Sequence, residues 1–137
     1  NDSDDILHNL LINCIKKFPR FKNNVYAFMD AWVNINKTGD YNVTHDHPDC
    51  DLSGVLWVKA PKDCGDIVFD SPVGFQTYRE VNSYRDDFKR ENAIFKSYYY
   101  TPKEGRILMF PSYLKHDVKK NISQEDRISV SFNIRLE

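Results

Sequence analysis

Three histidines and an arginine carry the chemistry open to this sequence: His45 and His47 flank Asp46, His116 lies far downstream, and Arg127-Ile128-Ser129 follows within one hairpin. Side chains alternate across a strand, so residues at i and i+2 share a face, and the imidazoles of His45 and His47 can converge on one point. Imidazole suits iron, zinc, copper and nickel, so a metal ion is the expected occupant. His116 offers a third donor from a distant strand. Arg127 and Ser129, also at i and i+2, present a guanidinium fork and a hydroxyl that together suit a carboxylate. The competing expectation is an edge arginine paired with Asp117 or Asp126.

The spacing leaves the third ligand open. His47-Pro48-Asp49 has the His-x-Asp pattern, which with His116 would give two histidines and one carboxylate on one face of a metal. Proline cannot donate to a strand ladder and tends to end a strand, so Asp49 falls where the chain starts to turn. That favours His45, with Asp49 kept as the alternative.

The elements that must position these groups are mostly strands. Residues 2–18 place Ile6, Leu7, Leu10, Leu11, Cys14, Ile15 and Phe18 at helical spacing between an acidic start and Lys16-Lys17, which predicts an amphipathic helix packed on the outside of a sheet. His8 on this helix reads as surface or core filler. From Tyr26 the pattern changes to short apolar runs separated by turn residues, with strands predicted over 26–35, 41–47, 53–59, 67–69, 98–100, 106–110, 113–118 and 127–136. Residues 71–97 form a long polar and aromatic excursion, partly helical or a loop, with a solvated surface excursion as the equal alternative, and residues 71–100 stand as the candidate substrate side. In the last strand Ile128, Val130, Phe132, Ile134 and Leu136 alternate with Arg127, Ser129, Ser131, Asn133 and Arg135. Serines and an asparagine in the middle of the polar face suggest the lining of a cavity rather than a surface exposed to solvent. Many short strands with few helices argue for a mainly β fold, a jelly roll or barrel-like double sheet.

Length and charge set the outer bounds. A chain of 137 residues, 41% hydrophobic, can bury the core of one domain, read here as spanning 1–137, with room left for residues upstream of Asn1. Its 19 basic and 20 acidic residues are well mixed, which gives no electrostatic case for nucleic acid or an anionic membrane. Apolar runs fall short of the roughly 20 residues needed to span a bilayer, and a cytoplasmic location is expected. Cys14, Cys50 and Cys64 make no CxxC pair and no even framework, so free thiols are the simpler expectation, and a Cys50–Cys64 bridge is not demanded. Sequons at Asn36, Asn42 and Asn121 read as chance matches. An oligomer is compatible with the sequence, and no segment names the substrate.

Several blocks carry a resemblance. His45-Asp46-His47-Pro48, Ser53-Gly54-Val55-Leu56-Trp57-Val58, Gly65 to Pro72, Phe110 to His116 and Arg127 to Asn133 resemble the 2-oxoglutarate and Fe(II)-dependent oxygenase superfamily, within it a branch of uncharacterised members common in marine bacteria and phages. The similarity covers roughly residues 30–135 and is most specific in the last two blocks. It implies a double-stranded β-helix (cupin-like jelly roll), an Fe(II) centre, and 2-oxoglutarate as co-substrate, converted to succinate as a substrate is oxidised. It places His47 and His116 at the metal with His45 as third member, Arg127 and Ser129 at the distal carboxylate of 2-oxoglutarate, and Trp57 where relatives often carry a tyrosine facing the co-substrate. His45 fits this branch's His-x-His element, whereas most of the superfamily has a carboxylate as the third member.

Two other classes compete. Gly39, His45, His47 and Asp51 partly match the first element of cupins, which would make a three-histidine metal enzyme without 2-oxoglutarate. A non-catalytic β-domain with incidental histidines is the third.

Overall fold

Among the described residues eight strands form in the order that the alternating pattern dictates: β1 (Tyr26–Asn36), β2 (Asn42–His45), β3 (Leu52–Lys59), β4 (Ile67–Asp70), β5 (Ser97–Tyr100), β6 (Ile107–Pro111), β7 (His116–Val118) and β8 (Arg127–Leu136). The computed structural model describes residues 26–136 together with positions 6, 9, 10 and 13, which are helical. The rest of the expected N-terminal helix, including His8 and Cys14, lies outside the described residues. Among the described residues no helix is long and apolar enough to cross a membrane.

The strands make two antiparallel four-stranded sheets, in the orders β1-β8-β3-β6 and β2-β7-β4-β5. Apart from the step from β4 to β5, successive strands change sheet, so the chain winds as a double helix of strand pairs, a jelly roll. This is the mainly β, double-stranded β-helix fold expected from the sequence.

Between the sheets lies a core of Val55, Trp57, Ile67, Phe69 and Phe110, with Tyr100, Leu108, Leu114 and Val118 packed against it. Burying an aromatic side chain of this kind stabilises the fold by about 1.5–3 kcal/mol. A second cluster forms around Phe132 and Ile134 with Leu52, Ile107 and Met109. It uses the other face of β3 and β8, since Gly54 stands opposite Phe132 while Val55 stands opposite Ser131. A Cβ on Gly54 would come within 2.2 Å of the Phe132 ring, so only glycine lets that ring lie across the strand.

The excursion between β4 and β5 is partly helical, with 3₁₀ turns at Gly74–Thr77 and Arg79–Ser83 and an α-helix at Asp86–Glu91. Ser71 Oγ donates to Gln76 Oε1, and Gln76 Nε2 donates to the Ala93 carbonyl at 3.2 Å, which ties the two ends of the excursion together.

Candidate metal centre

The register brings the histidines together. β2 and β7 pair antiparallel with His45 directly opposite His116, and their ring centroids are 4.3 Å apart. His47 lies 5.1 Å from His45 and 5.4 Å from His116 by the same measure, and one donor atom from each of the three lies within 4.8 Å of the others. The strand predicted over 41–47 ends at His45, so the shared pleat does not hold His47. Its backbone N–H instead donates to the Ser112 carbonyl at 3.0 Å, and Ser112 in turn donates from N to the Asp51 carbonyl and from Oγ to the Cys50 carbonyl. The β2–β3 and β6–β7 loops are thereby laced together beneath His47.

The ring nitrogens are oriented for ligation. Nδ1 of His45 lies 2.7 Å from the Val43 carbonyl and Nδ1 of His116 lies 2.8 Å from the Leu114 carbonyl. A carbonyl only accepts, so Nδ1 carries the proton in both rings and Nε2 keeps its lone pair free. His116 is buried, and desolvation, followed by repulsion from His45 and His47, lowers its pKa to about 4 against the pull of the Leu114 carbonyl and Asp117. Burial and His45 lower His47 as well, with Asp30 and Asp46 opposing. Neutral imidazoles are what a metal ion needs.

Asp49 sits exposed in the turn after His47 and is not part of the cluster. The donor set that the fold assembles is three histidines.

Arg127 stands in the same cavity, deeply buried. Its Nη1 donates to the carbonyls of Cys64, of Gly65 at 3.2 Å and of Lys119 at 3.4 Å. Nη2 is buried and has no partner among the described residues, the one side-chain nitrogen or oxygen there in that condition. Among the described residues no acid forms an ion pair with it: Asp117, one candidate for an edge ion pair, is taken by Lys119 at 2.9 Å. Burial lowers the guanidinium's pKa, opposed by Cys64 and Asp40, yet arginine remains a cation in proteins. A buried cation with an orphaned donor calls for an anion. The thiols of Cys50 and Cys64 are free, and burial pushes the Cys64 thiol up.

The cavity itself measures about 130 Å³, roughly ten times the room one water needs. Ser129, Ser131 and Trp57 line it together with the three histidines and Arg127, as the polar face of β8 suggested. Trp57 is held by stacking on Tyr100, at 5.6 Å between centroids and 11° between planes. The first strand adds Trp32, Asn34 and Asn36, which the sequence reading did not single out, and Asn34 donates to Ser131 Oγ at 2.8 Å. Their signal was there in retrospect, since Trp32, Asn34 and Asn36 alternate along β1. None of residues 71–100 lines this cavity. The donor set and the unpartnered guanidinium nitrogen therefore fit a divalent metal and a carboxylate held together.

A jelly roll thus gathers into one cavity a three-histidine cluster able to hold a metal ion and a buried arginine. The family described as Putative 2OG-Fe(II) oxygenase matches residues 30–133, and the chain belongs to that family. No curated protein matches the sequence significantly. Among solved structures the fold is similar to a 2OG-Fe(II) oxygenase family oxidoreductase from Burkholderia pseudomallei, at TM-score 0.60 and 15% identity over 81% of this chain and 45% of that one. It is also similar to HygX from Streptomyces hygroscopicus with nickel and 2-oxoglutarate bound, at 0.65 and 7% over 97% and 66%. A prolyl-4-hydroxylase from Pseudomonas putida aligns at 0.51 and 16% over 77% and 52%. The chain spans between about half and two-thirds of the length of these proteins.

Proposed function

We propose that the chain works as an Fe(II)- and 2-oxoglutarate-dependent dioxygenase, hydroxylating an organic substrate as 2-oxoglutarate loses CO₂ and becomes succinate. The observation that carries this reading is the unpartnered Nη2 of Arg127 in the cavity of the histidine cluster. In this reading His45, His47 and His116 hold the iron, and Arg127 with Ser129 binds the distal carboxylate of 2-oxoglutarate. Trp57 forms the wall beside it. Bound iron supplies O₂ activation, and the protein supplies orientation and a dry, charged grip.

Anaerobic addition of 2-oxoglutarate to the Fe(II)-loaded protein should give a weak visible charge-transfer band. Its absence with iron fully loaded would remove the proposal. The second reading is a cupin-like metal enzyme that makes no use of 2-oxoglutarate, favoured by the presence of three histidines with no carboxylate. Calorimetric titration separates the two, because only the oxygenase reading requires saturable 2-oxoglutarate binding that depends on Arg127.

A further inference from the structure

The histidine cavity opens between two edge strands. Among the described strands β1 and β2 lie at the margins of their sheets, and every residue that they and the turn after β2 give to the cavity, from Trp32 to His47, is at least partly exposed. The cavity residues of β3, β4 and β6 are buried. Asn36 Nδ2 donates to Asn42 Oδ1 at 3.5 Å and closes the slot where the two strands join. At the other end the Trp32 ring, 38% exposed, stands 6.3 Å from the His47 ring. We propose that the substrate binds in this mouth and is an organic cation, an amine or guanidine, whose charged group is held by Trp32 and Asp30. The assignment rests on the oxygenase reading above.

Placement is the first argument. In the ladder with β8, Asp30 and Trp32 stand opposite Asn133 and Ser131, as Asn36 stands opposite Arg127. Directly paired residues point to the same side of a sheet, so Asp30 shares the cavity side with Trp32, about 7 Å along the strand. A cation over the Trp32 ring therefore has a carboxylate within one pleat repeat. The same ring borders His47, so a molecule held there is brought beside a metal ligand.

Charge is the second. Asp30 and Asp46 are exposed, and both lie close enough to His47 to raise its affinity for a proton. The ion pairs among the described residues leave both carboxylates unmatched. Arg135, on the same side of β8, turns to the Asp49 carbonyl at 3.2 Å. A divalent ion and dianionic 2-oxoglutarate would cancel one another inside the cavity, where Arg127 is the one lysine or arginine among the lining residues. The mouth then keeps two carboxylates that attract a cation and repel an anion. An aromatic face beside them favours an organic cation.

The test uses the full chain with 5-fluorotryptophan at its two tryptophans, Trp32 and Trp57, loaded with 2-oxoglutarate and diamagnetic Zn(II) in place of iron. The probe is n-butylammonium. It is expected to move the Trp32 fluorine signal saturably and spare Trp57, the internal control. The uncharged n-butanol should bind about five-fold more weakly, and butyrate more weakly still. Asp30→Asn, at an exposed position, should weaken butylammonium about three-fold and leave n-butanol unchanged. Calorimetry should show a similar loss in Trp32→Leu. Co(II) in place of Zn(II) should broaden the protons of bound butylammonium. N-acetyl-lysine methylamide carries the same cation within a peptide unit: tighter binding than butylammonium assigns a lysine side chain, and equal or weaker binding a free amine. An unmoved Trp32 signal, n-butanol bound as tightly as butylammonium, protons untouched by Co(II), or unaltered affinity in Asp30→Asn overturns the cation site. Failure of 2-oxoglutarate to bind, with the butylammonium response intact, overturns the oxygenase reading alone.

Discussion

His45 and His116 stand opposite one another in the β2–β7 ladder, and each fixes its ring by pointing Nδ1 at the carbonyl two residues behind it. The same local device on two antiparallel strands aims two Nε2 lone pairs at one region. Such backbone acceptors orient metal-binding histidines and raise their basicity. His45→Ala should therefore lower metal content in protein purified without chelator, and Asp49→Ala should leave it unchanged. Elemental analysis of the two variants checks this. The reverse result would hand the third position to Asp49.

Removing the metal exposes the electrostatics of the cluster. In metal-free protein the folded-state pKa of His116 is about 4, against about 6.5 when unfolded. Between those values the unfolded chain binds the additional proton, so stability rises with pH. The contribution is fully present above about pH 6.5 and is lost as pH falls through 4, amounting to roughly 3 kcal/mol at most. His47, also lowered, acts in the same direction. Urea unfolding in chelator from pH 7 down to pH 4 should show the decline, and His116→Gln should flatten it.

Arg127 Nη1 serves three carbonyls while Nη2 has no partner among the described residues. Arg127→Leu should weaken 2-oxoglutarate by 2–5 kcal/mol, about 30-fold or more, while metal affinity stays near wild type. The variant should also lose stability, because buried carbonyls left unsatisfied cost about 1–3 kcal/mol each. Arg127→Lys retains the charge but lacks the planar fork, so it should recover binding only in part. Calorimetry with metal and 2-oxoglutarate titrated separately reads both effects.

Gly65 is predicted to be as sensitive as any ligand. Its φ is +93°, and a Cβ there would lie 2.0 Å from the Lys119 carbonyl oxygen and 2.9 Å from Arg127 Nη1. Gly65→Ala should cost about 1–3 kcal/mol from backbone strain alone and more from the clash, and should weaken 2-oxoglutarate along with stability. Thermal unfolding and the same titration test it. Unchanged 2-oxoglutarate affinity would show that the carbonyl cradle is not needed to aim the guanidinium.

Much of this was written in local pattern. The alternation of Arg127, Ser129 and Ser131 with Ile128, Val130 and Phe132 fixed which face of the last strand turns to the cavity, because side chains in a strand repeat every two residues whatever the partner. His45, His47 and His116 were legible for the same reason, as donor residues on or beside β-type runs. The excursion at 71–97 was legible as an insertion, and none of its residues lines the histidine cavity.

What the tertiary structure decided was pairing. That His45 faces His116, that Ser112 carries His47 once β2 has ended, and that the carbonyls of Cys64, Gly65 and Lys119 converge on Arg127 all depend on segments up to 71 residues apart, the separation between His45 and His116. Backbone carbonyls are identical in every residue, so a cradle built from them leaves no trace in residue types. Register and loop closure are set by the summed packing of both sheets, and no single stretch of sequence contains that sum.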